Sequence, residues 1–186
     1  MGILAISGSL RAGSLNTALV RTARDLAPAG VEIELYDGLG SIPAFNEDRE
    51  AVLPEPVQDL NRRIRAADAL LVSTPEYNGG MPGALKNALD WASRPHGAAA
   101  VVAKPAAVIG ASTTAYGAKW AQEQVRRALT LSGAMVIDAE LAVDGAHRKV
   151  LGGEVVDSAT RVKLAEVVAE LAEAASAFDS SEAVAA

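Results

Sequence analysis

Short apolar segments alternate with amphipathic segments along the chain, and this alternation constrains the fold more than any other feature. Apolar runs predict five strands, and apolar residues at helical spacing predict a helix after each one. The predicted strands are 3–7, 31–35, 69–73, 106–109 and 134–137, and the predicted helices are 16–26, 57–67, 82–93, 117–131 and 157–177. Strict β-α alternation predicts an α/β fold in which helices cover both faces of a parallel sheet. Segment 31–35 alternates apolar and acidic residues, which indicates an edge strand.

The chain length predicts a single domain. The chain has 186 residues, of which half are hydrophobic, enough for one full core. We expect this domain to span residues 1–178 and residues 179–186 to form a frayed tail. Residues 39–56 contain three prolines and a polar centre, which predicts an irregular connection.

The composition excludes several classes of function. The absence of cysteine excludes disulfides, thiolate metal sites and cysteine nucleophiles, and two histidines are too few for a histidine-rich metal site. A net charge of -6 disfavours nucleic acid as a partner. No secretory signal and no run of about 18 apolar residues is visible, so we expect a cytoplasmic protein with no membrane partner. Any redox chemistry would require a bound cofactor.

The loop after the first predicted strand has the composition of a phosphate site. Parallel sheets bind ligands outside the carboxyl ends of their strands. The loop reads SGSLRAGSLNT, contains six side-chain donors and has no carboxylate before Asp25. It leads into a helix N-terminus, which favours an anion. The alternative is a serine- and asparagine-rich turn in which Ser14 caps the helix, but this alternative accounts poorly for Arg11.

The same loop does not match the common nucleotide-binding motifs. Gly8 and Gly13 have the spacing of a P-loop, but Ser14 stands where the P-loop lysine belongs, which disfavours nucleoside triphosphate hydrolysis. The loop also lacks the G-x-G-x-x-G pattern of a dinucleotide site. Asp37 could serve as a ribose-binding acid, although a turn before Gly38 explains it as well.

Two further loops face the same predicted edge of the sheet. The segment STPEYNGGMPGALKNALDW follows the third strand, and its glycines and prolines predict a loop of fixed shape around Tyr77. The segment GASTTAYG follows the fourth strand and offers hydroxyls and Tyr116. Each could instead be an ordinary βα connection. The segment after the third strand would then be a rigid loop, and the segment after the fourth strand would be a turn that caps the next helix. Together, the three loops predict a site for a phosphate at one end and a planar ring at the other.

The segments GSLRAGSLN, PEYNGGMPGALKNALDW and GAST resemble the signature loops of the NADPH-dependent FMN reductases. The resemblance implies a flavodoxin-like three-layer fold with strand order 2-1-3-4-5. It further implies an FMN-dependent enzyme in which FMN N5 accepts hydride from NADPH or NADH and reduces flavin, quinone or another small acceptor by a ping-pong mechanism. No catalytic acid, base or nucleophile is expected, since the chemistry belongs to the flavin.

The resemblance also implies which residues hold FMN. They are Ser9, Arg11, Ser14, Asn16 and Thr17 at the phosphate, Pro75, Glu76, Tyr77, Asn78 and Gly79 at the ring and ribityl chain, and Ser112, Thr113, Thr114 and Gly117 beside the ring. Family members often have glycine where this chain has residues 113–116. This difference concerns the shape of the pocket at the ring edge, and therefore the electron acceptor.

The resemblance implies a homodimer or homotetramer, because helices such as the one carrying Trp120 often form subunit contacts in this family. Two other functions remain open. A flavodoxin-type electron carrier would not oxidise NADPH without a partner protein, and a flavin-free nucleotide-binding module would be colourless when purified. NADPH oxidation and the colour of the protein therefore distinguish the three.

Overall fold

Five parallel strands form one sheet in the order β2-β1-β3-β4-β5. The computed structural model describes the backbone of residues 1–185 and the side chains of residues 1–178. The strands are β1 Gly2–Ser7, β2 Glu32–Tyr36, β3 Ala69–Thr74, β4 Pro105–Ala111 and β5 Met135–Val143. The observed strand order confirms the predicted flavodoxin-like fold and places β2 at an edge.

Helices cover both faces of this sheet. They are α1 Leu15–Asp25, α2 Glu55–Ala66, α3 Gly83–Ala92, α4 Lys119–Leu131, α5 Ala146–Lys149 and α6 Ser158–Ala185. Helices α1 and α6 pack on one face, and α2, α3 and α4 pack on the other. This distribution gives the three layers that the alternating sequence predicts.

Alternate residues of the central strands supply two hydrophobic cores. In β1, Ile3 and Ala5 face α1 and α6, whereas Leu4 and Ile6 face the other helices. The pattern follows from the two-residue period of a strand. Because both faces are covered, the central strands read as continuous apolar runs.

Strand β5 is longer than the predicted segment 134–137, which ended too early. The strand continues through Asp138 and Glu140, whose exposed side chains broke the apolar run used for the prediction. Its pairing with β4 shifts register between Ala106 and Val108. The Arg126 guanidinium donates hydrogen bonds to two β5 carbonyls at this irregularity, those of Ile137 and Ala139.

The elements that follow β5 were not predicted from the sequence. These are α5 and a two-stranded hairpin formed by β6 Val150–Leu151 and β7 Glu154–Val155. Helix α6 then begins at Ser158, and Asp157 caps it by accepting hydrogen bonds from the Thr160 N–H and hydroxyl. The helix extends to Ala185. The side chains of the predicted frayed tail, residues 179–186, lie outside the described part of the chain.

The irregular segment 39–56 contains two short 3₁₀ turns, Leu39–Ser41 and Glu47–Arg49. It is anchored to the core, since Phe45 packs edge-on against the buried Trp91 with ring centroids 4.9 Å apart. Arg94 pairs with Glu47 and Glu50 from the same segment. Within the described residues, no helix combines the length and the apolar character needed to cross a membrane.

Candidate functional site

A cleft lies at the carboxyl ends of β1, β3 and β4, where the three polar loops meet. It is lined by Ser9, Arg11, Ser14, Leu15, Asn16, Pro75, Glu76, Tyr77, Ala111, Ser112 and Thr113. The three loops are residues 8–14 (the first loop), 75–82 (the second loop) and 112–118 (the third loop). The parallel sheet brings them to one edge because its strands all run in the same direction.

The first loop presents hydrogen-bond donors at the start of α1. The Ser14 hydroxyl caps this helix by accepting a hydrogen bond from Thr17 N–H at 3.1 Å. The next two backbone N–H groups, those of Leu15 and Asn16, belong to the first turn, where N–H groups have no partner within the helix. Arg11 is exposed and lines the same cleft. The charge at this end of the cleft is therefore positive.

Asn16, in the first turn of α1, connects two strands beneath the cleft. Its side-chain Nδ2 donates to Ala111 O at 3.0 Å, and its Oδ1 accepts from Ala111 N at 2.9 Å and from the Ser73 hydroxyl at 2.9 Å. Asn16 is 2% exposed. Its amide is thus occupied by protein groups that fix the first loop relative to β3 and β4.

Thr17 is likewise directed into the protein. Its hydroxyl shares a 2.8 Å hydrogen bond with the Ser7 hydroxyl, and Thr17 does not line the cleft. This contact ties α1 to the end of β1. Thr17 therefore supports the first loop from behind.

The second loop contains a tight turn that presents Tyr77. Tyr77 N–H donates to Gly80 O at 2.9 Å, and Gly80 N–H donates to Tyr77 O at 3.1 Å. Asn78 and Gly79 have φ values of 53° and 76°, the left-handed conformations of a type I′ turn. Asparagine and glycine are the residues that adopt this turn most readily. The Asn-Gly pair therefore shapes the turn, while Tyr77 lines the cleft.

Glu76 points from the second loop to the N-terminus of α4. Its Oε2 accepts hydrogen bonds from Trp120 N at 3.1 Å and Ala121 N at 3.3 Å. Ala118, the residue before the helix, cannot cap it with a side chain. Glu76 consequently caps α4 from a distance of 44 residues along the chain.

Gln124 of α4 holds the second loop with both atoms of its side-chain amide. Its Nε2 donates to Gly79 O at 3.3 Å, and its Oε1 accepts from Met81 N at 3.1 Å. Together with Glu76, these contacts join the second loop to α4. The position of Tyr77 thus depends on α4 as well as on β3.

The third loop is fixed by backbone hydrogen bonds to the end of β5. Ser112 N donates to Val143 O at 3.0 Å, and Gly145 N donates to Thr114 O at 3.1 Å. Gly117 has a φ of 57°, and a Cβ there would lie 2.7 Å from the Ala142 carbonyl carbon. Glycine at position 117 is therefore required for the loop to approach β5.

The structure brings most of the predicted site residues to the cleft. Those that line it are Ser9, Arg11, Ser14, Asn16, Pro75, Glu76, Tyr77, Ser112 and Thr113, whereas Thr17, Asn78, Gly79, Thr114 and Gly117 do not. Leu15 and Ala111 line the cleft but were not predicted. Both have apolar side chains, which do not indicate a polar site. Only their positions, Leu15 at the start of α1 and Ala111 at the end of β4, could have indicated a role.

Comparisons with known proteins agree with this arrangement. The family model for NADPH-dependent FMN reductases matches residues 1–148. An NAD(P)H-dependent FMN reductase of Pseudomonas aeruginosa is 50% identical over 128 residues, 68% of each chain. A 2-hydroxy-1,4-benzoquinone reductase of Burkholderia sp. is 43% identical over 124 residues, 67% of each chain.

A solved structure extends the likeness over almost the whole chain. It is FerB, a flavoenzyme NAD(P)H:(acceptor) oxidoreductase from Paracoccus denitrificans, which superposes with a TM-score of 0.86. The sequences are 35% identical, and the match covers 95% of this chain and 98% of FerB. The signature loops, the sheet order and these matches agree, and the chain belongs to the NADPH-dependent FMN reductase family of oxidoreductases.

Proposed function

We propose that the protein is an FMN-dependent NAD(P)H oxidoreductase that reduces quinones, flavins or similar small acceptors. The observation that carries the proposal is the cleft itself, where a cationic, donor-rich loop and an aromatic turn meet at the carboxyl edge of a parallel sheet. The relatives named as FMN and quinone reductases support the same reaction class.

The first loop fits the phosphate of FMN. Ser9, Ser14 and Arg11 can donate to phosphate oxygens, as can the backbone N–H groups of Leu15 and Asn16 at the start of α1. The loop contains no carboxylate that would repel the dianion. A guanidinium adds a charge-assisted hydrogen bond, which is stronger than a neutral one. These groups would hold the phosphate end of the cofactor.

The second and third loops fit the ring end of FMN. Tyr77 offers an aromatic face, Pro75 an apolar surface, and Ser112 and Thr113 offer hydroxyls. The one carboxylate lining the cleft, that of Glu76, accepts hydrogen bonds from two N–H groups of α4. Its negative charge is therefore stabilised by the helix N-terminus near the site of an anionic cofactor.

FMN, when bound, would supply the redox chemistry by accepting hydride at N5 and passing electrons to an acceptor. The side chains described above would bind and orient the cofactor. Because the three loops meet at the same cleft, we propose that NAD(P)H and the acceptor use it in turn. The steady-state mechanism would then be ping-pong.

We also propose that the protein forms a homodimer or homotetramer. A groove between α3 and α4 has apolar side chains, Met81, Leu89, Ala128 and Leu131, among charged and polar ones, and Leu131 is 75% exposed. Exposed apolar patches of this kind favour subunit contacts. Light scattering at several protein concentrations tests the proposal, and a Leu131→Glu variant should shift the protein towards monomer.

The experiment that tests the function has two parts. Acid release of the bound cofactor from purified protein should yield FMN. NADPH oxidation with a quinone, and with no added partner protein, should give parallel double-reciprocal lines. A colourless protein would contradict the flavin assignment, oxidation that needs a partner would indicate an electron carrier, and intersecting lines would contradict the shared site.

A further inference from the structure

The exposed aromatic side chains belong to three neighbouring segments: the second loop, the third loop and the start of α4. Among residues 1–178, Tyr77, Tyr116 and Trp120 are exposed by 47%, 59% and 47%, while the other aromatic side chains are buried or half-buried. We call these three residues the aromatic corner. Large exposed aromatic surface is unfavourable in water, so its concentration at one place indicates a binding role.

The aromatic corner adjoins the cleft through Glu76. Tyr77 follows Glu76 in the chain and lines the cleft, while the backbone N–H of Trp120 donates to the Glu76 carboxylate. Tyr116 lies in the third loop, three residues after Thr113, which also lines the cleft. The corner is therefore continuous with the mouth of the candidate site.

Tyr116 and Trp120 form a preorganised surface. Their rings stack with centroids 4.9 Å apart and planes inclined by 27°. Tyr116 precedes α4, and its carbonyl accepts a hydrogen bond from Lys119 N at 3.0 Å, which fixes the backbone between the two rings. Stabilising the start of α4 does not require this pair, because Glu76 already caps that helix.

We propose that the Tyr116–Trp120 pair is a stacking platform that selects planar aromatic electron acceptors. The proposal rests on the proposed function, since it assigns a surface to the acceptor of that reaction. An aromatic acceptor such as a quinone can stack on the outer face of the pair while its edge reaches into the cleft beside Tyr77. A compact inorganic acceptor has no aromatic face and gains nothing from the platform.

The proposed platform should affect the affinity for planar acceptors only. Offset stacking between aromatic rings changes affinity by about two- to tenfold. Removing the platform should therefore weaken binding of planar acceptors by that factor. FMN binding should be unchanged, because the groups proposed to hold FMN lie in the cleft itself.

The test compares Trp120→Ala and Tyr116→Ala with wild-type holoenzyme. Titration calorimetry measures the Kd of 1,4-naphthoquinone for the oxidised holoenzyme, a condition under which no turnover occurs. Steady-state assays then give kcat/KM for 1,4-naphthoquinone and for ferricyanide. We expect a two- to tenfold rise in Kd and a similar fall in kcat/KM for naphthoquinone, with ferricyanide unchanged. Trp120→Phe should retain most of the wild-type selectivity.

Val162→Ala provides the control, since Val162 is also an exposed apolar residue but lies on α6, outside the aromatic corner and the groove between α3 and α4. It should leave the ratio of naphthoquinone to ferricyanide activity unchanged. Unchanged naphthoquinone affinity in Trp120→Ala, equal losses with both acceptors, or an altered oligomeric state with unaltered selectivity would each overturn the platform. A wild-type protein that neither holds FMN nor oxidises NADPH would instead overturn the proposed function and, with it, this inference.

Discussion

The side-chain amide of Asn16 forms two reciprocal hydrogen bonds with the backbone of Ala111. Asn16 Nδ2 donates to Ala111 O at 3.0 Å, and Ala111 N donates to Asn16 Oδ1 at 2.9 Å. The two residues are 95 positions apart, so this pair joins the start of α1 to the end of β4. The sequence predicted Asn16 as a phosphate ligand, but its side chain serves the architecture of the cleft.

Asn16→Asp should destabilise the protein and weaken FMN binding. A carboxylate cannot donate to Ala111 O, which leaves a buried carbonyl without its partner and places negative charge beside it. An unsatisfied buried polar group costs roughly 1–3 kcal/mol. Urea unfolding of the apoprotein at neutral pH measures the loss.

Ser73→Ala is the matched control for that variant. It removes one donor to Asn16 Oδ1 and leaves both hydrogen bonds between Asn16 and Ala111 in place. The loss should be about 1 kcal/mol or less. Equal losses of unfolding free energy for Ser73→Ala and Asn16→Asp would show that the hydrogen bonds with Ala111 stabilise the protein no more than the one from Ser73.

Glu76→Ala should lower the free energy of unfolding by about 1 kcal/mol, because α4 loses its cap. The side chain accepts from Trp120 N and Ala121 N, and Ala118 offers no replacement. Glu76→Gln retains a side-chain oxygen and should lose less. A Glu76→Ala variant as stable as wild type in urea would show that the cap is dispensable.

The elements of the fold that depend on local sequence were predictable. Central strands such as β3 are continuous apolar runs, and the glycine- and serine-rich loops that follow them mark the edge of the sheet where the cleft forms. The end of β5 was not predictable in this way, because Asp138 and Glu140 face solvent on a strand with an irregular register.

The site was predictable in position and less so in the role of each residue. Arg11 and Tyr77 line the cleft as the sequence indicated. The partners of Asn16 and Glu76 are 95 and 44 residues away, and no local pattern specifies such contacts. Polar residues in a ligand loop can therefore be recognised from sequence, whereas their division between ligand contact and loop support depends on the tertiary structure.

Gly79→Val should lose FMN, while Tyr77→Phe should keep most of the activity. Gly79 has a φ of 76°, where a residue with a side chain is strained by roughly 1–2 kcal/mol and a β-branched residue by more. No protein atom lies within 4 Å of a Cβ at this position, so the effect should come from the turn conformation. Flavin occupancy and NADPH oxidation measure both variants.

Asn78→Gly is the control for the turn, since glycine adopts the φ of 53° found at that position without strain. It should keep FMN and a near-normal far-UV circular dichroism spectrum. An inactive Tyr77→Phe together with a normal Gly79→Val would show that the loop acts through the tyrosine hydroxyl.

The cap of α6 should make stability depend on pH in the acidic range. Hydrogen bonds from the Thr160 hydroxyl and N–H lower the pKa of Asp157. A lowered folded-state pKa contributes stability above the unfolded value of about 3.9, and this contribution is lost as pH falls through the folded-state pKa. Asp157→Ala should therefore be less stable than wild type at pH 7, with a difference that shrinks below about pH 4.

Urea unfolding of both proteins from pH 7 to pH 3 measures that difference. Thr160→Val provides a second comparison, because it removes the hydroxyl donor while keeping the shape of the side chain. Its stability should depend less on pH than that of wild type. A difference between wild type and Asp157→Ala that stays constant across the range would contradict the role of the ionised carboxylate.

The central claim is that the first loop binds the phosphate of FMN, and comparing FMN with riboflavin tests it most directly. Riboflavin has the same ring and ribityl chain but no phosphate. Titration of apoprotein should show much tighter binding of FMN, and Arg11→Ala should weaken FMN binding about ten- to a hundredfold while leaving riboflavin binding unchanged. Equal affinities for FMN and riboflavin in the wild-type protein would contradict the claim.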